Sequence, residues 1–189
     1  RHWSMAPLST IWTIGHSTRP ISEFTDLLCT HSINLLVDVR TVPRSRHNPQ
    51  FNSETLAEIL REAGPTYLHM PALGGLRKAR KDSINDGWRN ASFRGYADYM
   101  QQDEFRDALE ALMTHGRQGS LAIMCTEAVP WRCHRSLIAD ALASRGWTVR
   151  HILSPVKADE HRLTTFAVID GNRIVYPQPV DPLAPPRLF

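Results

Sequence analysis

The chain has 189 residues, 42% of them hydrophobic, enough for one domain with a real core and unlike a disordered or fibrous polymer. Its formal net charge of +3 is too small to mark a polycation, and no stretch approaches the roughly 18 consecutive apolar residues of a membrane span. Three cysteines cannot all pair within one chain, and "RHWSMAPLST" lacks a basic-then-apolar leader, so the expected setting is the reducing cytoplasm with no membrane partner.

In chain order, residues 1–10 read as an N-terminal extension, 11–177 as one domain and 178–189 as a Pro-rich tail. "IWTIGHS" (11–17) predicts a buried strand, followed by a helix capped by Ser22 with Phe24, Leu27 and Leu28 inward and Cys29 as a small core residue. "NLLVDVRT" (34–41) predicts a second strand. The helix after it runs from Asn52 or Ser53 to Gly64-Pro65, with Leu56, Ile59, Leu60 and Ala63 on one face. "TYLHMPALGG" predicts a short third strand ending in Gly74-Gly75, and residues 74–91 a polar, basic loop. Ser92 and Asp103 are the expected caps of two further helices, "SLAIMCTE" (120–127) is the fourth strand, and "CHRSLIADALASRG" an amphipathic helix. "TVRHILSP" (148–155) and "LTTFAVIDGNRIVYP" (163–177) supply further strands, the last a hairpin turning at Asp170-Gly171-Asn172. Apolar strands alternating with helices predict a three-layer α/β fold: a mostly parallel sheet, helices on both faces, and a C-terminal β-hairpin.

Such sheets bind ligands beyond the carboxyl ends of their strands. His16 and Ser17 follow the first strand, Asp38 and Arg40 end the second, Gly74 and Gly75 follow the third, and Cys125 and Glu127 end the fourth. All land on one edge. "CTEAVPWRCHR" (125–135) then puts Cys133, His134 and Arg135 at a helix N-terminus, where unpaired amides favour an oxyanion or a thiolate. Packing cysteines beside a surface arginine are the plainer reading of the same turn. A phosphatase-type loop has one residue fewer than the six between Cys125 and Arg132, so that pattern fails. A metal could draw on Cys125, Cys133, His134 and His16, yet no C-x-x-C or H-x-x-x-H spacing is present. "GHSTR" lacks the second glycine of a serine elbow because Arg19 stands there.

Two basic runs, Arg40-Arg44-Arg46-His47 and "RKARK" (77–81), lie at the same edge, and Asp38 beside Arg40 is placed to orient it toward a ligand. Trp88, Phe93, Tyr96 and Tyr99 could stack on bases, though the helical spacing of Phe93 and Tyr96 favours a core role for those two.

The motifs "TIGHS" (13–17), "DVRTVPRS" (38–45), "LGG" (73–75), "FRGYADYM" (93–100), "CTEAVPWRCHR" and His151-Ile152 resemble those of the bacterial domain of unknown function 488. The resemblance spans about 11–177 and implies a compact cytoplasmic α/β domain. Matched position by position, it points to His16, Ser17, Asp38, Arg40, Pro43, Ser45, Gly74, Gly75, Cys125, Glu127, Cys133, His134 and Arg135. The chain departs from the family where a charged stretch commonly follows the first cysteine; here it reads Glu127-Ala128-Val129-Pro130.

The expectation is therefore a pocket for an anionic ligand bearing phosphate, a nucleotide or nucleic-acid end, serving a hydrolase or group transferase. Cys125 or Cys133 would be nucleophile, His134 or His16 acid and base, and Asp38 and Glu127 orienting carboxylates. Ser17, Arg40, Arg44, Ser45, Gly74, Gly75 and Arg135 would contact the ligand. Two alternatives stay open: a non-catalytic nucleic-acid binder using the basic loops, and a Cys/His metalloprotein. The sequence names no cofactor.

Overall fold

Strands β1 (Thr10–Gly15), β2 (Leu35–Asp38), β3 (Thr66–His69), β4 (Leu121–Cys125), β5 (Thr148–Ser154) and β6 (Lys157–Glu160) form one sheet in the order β3-β2-β4-β1-β5-β6. The structure is a computed structural model that describes residues 9–179 and 183. Most of the predicted N-terminal extension and of the Pro-rich tail lies outside the described residues. Strands β3, β2, β4, β1 and β5 are parallel neighbours, and β6 runs antiparallel to β5. Every residue of β4 is buried, as the middle of a sheet covered on both faces requires.

Helices α1 (Ile21–Thr30) and α2 (Ser53–Ala63) cover one face, where Phe24, Leu27, Leu28, Leu56 and Leu60 pack on Ile14, Leu36 and Met124. Helices α3 (Ala91–Tyr99), α4 (Asp103–Gln118) and α5 (Arg135–Ala143) cover the other, through Tyr96, Leu109, Leu112, Leu137 and Leu142 against Val37, Ile123 and Val149. The helix leaving β1 and the helix leaving β4 thus go to opposite faces although the strands are adjacent. That reversal opens a crevice at their carboxyl ends. The predicted hairpin forms a separate two-stranded sheet, β7 (Val168–Asp170) and β8 (Arg173–Val175), turning at Gly171 with φ +59°.

Several expectations need correction. Cys29 is exposed, because the inward face of α1 is set by residues 24, 27 and 28 and position 29 is turned away from it. Helix α1 starts directly after Pro20 with no side-chain cap, so Ser22 lies within its first turn. Asn90, not Ser92, caps α3, its Oδ1 accepting from the amides of Ser92 (2.8 Å) and Phe93 (3.3 Å). Helix α5 is not amphipathic in effect: all residues from Arg135 to Leu142 are buried. Strand β6 went unforeseen since Lys-Ala-Asp-Glu carries no apolar signal; it pairs with β5 along the sheet edge, where charged side chains are favoured.

Gly15 marks the closest approach of chain at the carboxyl edge. A Cβ there would lie 1.9 Å from the carbonyl oxygen of Glu127. Gly15→Ala is expected to lower stability by about 2–3 kcal/mol, read from the urea midpoint; a variant as stable as the parent would refute this close contact.

Candidate functional site at the carboxyl edge of the sheet

Beyond Gly15, the amides of His16 and Ser17 donate to the carbonyls of Cys125 (2.9 Å) and Thr126 (2.8 Å), which ties the ends of β1 and β4 together. Ser17 has φ +48°, a left-handed backbone held by this zipper. The imidazole of His16 is fully buried and stacks on Phe51 with centroids 4.4 Å apart. Its Nδ1–H donates to the carbonyl of Ser17 (2.9 Å), leaving Nε2 to accept from Nη1 of Arg40 (3.3 Å). Burial lowers its pKa to about 4, with the Arg40 charge acting in the same direction, so the ring is neutral at pH 7.

Arg40 and Asp38 form the expected pair. Nε and Nη2 of Arg40 donate to the two carboxylate oxygens at 2.9 and 2.7 Å, and Nη2 also reaches the carbonyl of Phe51 (2.7 Å). The Asp38 carboxylate further accepts from the amide of Arg40 (3.0 Å) and the hydroxyl of Tyr67 (2.6 Å). Burial, and the hydrogen bond to this carboxylate, raise the pKa of the Tyr67 phenol. A buried bidentate pair so fully bonded gives fixed geometry more than net stability.

Across the crevice, the chain from β4 makes a short 3-10 turn at Pro130–Arg132 before Cys133 and α5. Cys125 and Cys133 are joined as a disulfide. The amide of Arg135 donates to Cys133 Sγ (3.5 Å), and Nδ1 of His134 faces that sulfur at 3.6 Å. Nε2–H of His134 is held by the carbonyl of Val39 (3.0 Å), which leaves Nδ1 as the acceptor. Burial, helped by the Arg135 and Arg77 charges, lowers the pKa of His134 to about 4.

A cavity of about 350 Å³ gathers Arg40, Gly75, Cys125, Glu127, Cys133 and His134 from the sequence-predicted set. It adds Thr41, Val42, Leu76, Ser92, Phe93, Tyr96, Thr126 and Arg132. Arg132 is exposed at its rim, and its guanidinium has no hydrogen-bond partner among the described residues. The other predicted residues lie elsewhere. Asp38 and His16 stand behind Arg40. Gly74 gives its amide to Pro71, and Arg44 pairs with Glu54 at the surface (2.6 Å). Ser45 bonds within its own loop to Asn48 and Asn52.

Arg135 has no exposed surface and does not face the cavity. Its Nη2 donates to the carbonyls of Glu127 (2.7 Å) and Ala128 (3.2 Å), and Nη1 to Thr13 Oγ1 (3.1 Å). Burial lowers its pKa to about 10, which still leaves it charged at pH 7. From there a relay runs through the core. The Thr13 hydroxyl donates to Nδ1 of His151 (2.6 Å), Nε2–H of His151 to Nδ1 of His161 (2.9 Å), and Nε2–H of His161 to Asp140 (2.7 Å). Each donor finds one acceptor when the chain of bonds is read from cation to carboxylate. Tyr176 (2.8 Å) and Thr164 (2.6 Å) complete the Asp140 shell. Sequence analysis places Thr13 and His151 only within motifs and gives no role to Asp140 and His161, because no local spacing links the four. His151 and His161 border a second cavity of about 1060 Å³ with Trp88 and Trp131, but their ring nitrogens are already engaged.

Of the basic loops, Arg80 pairs with Asp82 (3.1 Å) and Arg77 lies 3.6 Å over the Tyr99 ring. Among the described residues, no three His, Cys, Asp or Glu side chains are grouped to hold a metal. Both nitrogens of His16 are occupied, and the two site sulfurs bond each other. No helix among the described residues is long and apolar enough to cross a membrane.

The reversal of connection at β1 and β4, with a polar hollow beyond it, defines a doubly wound α/β fold. Residues 20–142 match the model of the domain of unknown function DUF488, and the chain belongs to that family. The matched stretch is shorter than the expected 11–177 and stops before His151 and His161. No curated protein and no solved structure matches the chain.

The low pKa values carry a pH signature. Unfolded histidines protonate near 6.5, whereas native His16 and His134 do so at about 4 and His151 at about 3. Between those values the unfolded chain binds more protons, so stability is full above pH 6.5 and falls as pH drops toward 4. Urea midpoints measured from pH 7.5 to 4.5 are expected to decline with uptake of up to three protons on unfolding; a flat profile contradicts the neutral buried rings.

Proposed function

We propose that this protein is a thiol-dependent hydrolase or group transferase for an anionic, phosphate-bearing substrate, with Cys133 as nucleophile and His134 as its base. The observation that carries this reading is the pairing of His134 Nδ1 with Cys133 Sγ at 3.6 Å while Val39 holds the other ring nitrogen. A thiol beside a tautomer-fixed imidazole, with a helix amide donated to the sulfur, is the arrangement that activates cysteine. Cys125 has no such neighbours. The lowered pKa of His134 keeps its ring neutral and able to accept a proton, while making it a weaker base than an ordinary imidazole, so the base role rests on geometry.

The reaction belongs to the dithiol form. One dithiol, or two equivalents of a monothiol, supplies two electrons and two protons to the Cys125–Cys133 bond and is itself oxidised to a disulfide. The Cys133 proton then passes to Nδ1 of His134 as sulfur attacks phosphorus. The S–P bond forms, the O–P ester bond breaks, and the leaving oxygen takes the proton from His134. Water, or an acceptor hydroxyl, next attacks phosphorus and cleaves S–P, its proton returning to sulfur through His134. Arg132, with no side-chain partner among the described residues, is the cation suited to the incoming anion. Arg40 lines the same pocket, but its Nη1 is bonded to His16 and its other donors to Asp38 and Phe51, so it adds positive charge there more than a free donor. The nucleic-acid alternative is weakened by the internal engagement of Arg44, Arg77 and Arg80.

In reduced protein, iodoacetamide labelling against pH is expected to give Cys133 an apparent pKa below the ~8.5 of a free thiol. Cys133→Ser should cut turnover of p-nitrophenyl phosphate at least ~1000-fold, and Cys125→Ser should remove the dependence on reductant. Unshifted titration of Cys133, or full turnover in Cys133→Ser, sinks the reading.

A further inference from the structure

Leu76 is held with φ +55°, a left-handed backbone that a bulky residue adopts only under strain. Its side chain is 86% exposed, so nothing in the free protein offsets that strain by burying the leucine. The conformation is imposed from both sides. Thr41 Oγ1 donates to the carbonyl of Gly75 (2.9 Å), Arg77 Nε to that of Gly74 (3.2 Å), and Gly75 lies against the ring of His134 with no slack. The result is an apolar side chain held out at the mouth of the small cavity. Val42, 60% exposed, and the half-buried Phe93 stand with it, while Arg132 and Glu127 supply the charged part of the same lining.

Resting on the reading above, we infer that the substrate is an organic phosphate whose ester group is apolar, and that Leu76 is a specificity-determining residue gripping that group. The anion enters toward Arg132 and Cys133, and the apolar body lies against Leu76, Val42 and Phe93. Covering an exposed leucine and a phenyl-sized group removes enough apolar surface to favour such a ligand by at least about tenfold over the bare anion.

The test uses two non-hydrolysable anions that share a head group, methylphosphonate and phenylphosphonate, as protectants of Cys133 in the reduced full chain against iodoacetamide, followed by peptide mass spectrometry. Phenylphosphonate is expected to half-protect at a concentration at least ~10-fold lower. That advantage should shrink to below ~3-fold in Leu76→Asn, which tolerates the left-handed backbone, and persist in Leu76→Met. The urea midpoint of Leu76→Asn should equal or exceed the parent's, since no folded contact is lost. Equal protection by both anions overturns the apolar-ester assignment and leaves the anion pocket standing. An advantage unchanged in Leu76→Asn, or a destabilised Leu76→Asn, removes Leu76 from the role. Protection by neither anion defeats the proposed function along with this inference.

Discussion

A guanidinium with no exposed surface must draw on the protein for the solvation that water gave it, and Arg135 shapes the centre of this molecule by that need. Its two Nη groups find two carbonyls of the chain leaving β4 and a hydroxyl on β1, while its buried Nε has no partner among the described residues. Satisfying it therefore folds the 127–128 segment back over Gly15 and fixes where the chain re-enters at Cys133. Among the described residues, no carboxylate is bonded to the cation directly. The nearest bonded compensation is Asp140, reached through Thr13, His151 and His161. Two charges on one helix are thus reconciled by a line of neutral dipoles instead of a direct ion pair, a solution that is stable only when every member is bonded.

The second buried arginine solves the same problem differently. Arg40 is gripped bidentately by Asp38, with His16 and Phe51 taking what remains. Both arginines stand where unregulated backbone meets the end of the sheet, and both keep loops in register there. That leaves the exposed Arg132 as the cation at the cavity rim with its donors uncommitted. Buried charge builds the vessel, and rim charge meets what enters it.

Much of this was legible in the chain. Asp38 and Arg40 straddle the end of an apolar strand, so their pairing follows from a two-residue spacing and burial. Cys125, Cys133 and His134 share one strand-to-helix turn, which brings them together in any parallel sheet. The orientation of Arg135 was not legible, because all of α5 through Leu142 is buried and no solvent face tells which way a residue points. Thr13, Asp140, His151 and His161 meet across separations of up to 138 residues, beyond any local pattern. Strand β6 escaped for the opposite reason: its partners bond its main chain, and an edge strand rich in charge looks like a loop. Cap residues slipped by one or two positions where another side chain, Asn90, was better placed to accept.

The relay that begins at Arg135 ends at Asp140, five positions further along the same helix, after passing through β1, β5 and the segment following β6. Helix α5 is therefore laced to the rest of the fold at two points and cannot roll or slide without breaking both. Cys133 sits immediately ahead of it, bonded to its first amide. The sulfur consequently inherits the stiffness of the core, and its aim is decided when the chain folds rather than when a ligand arrives.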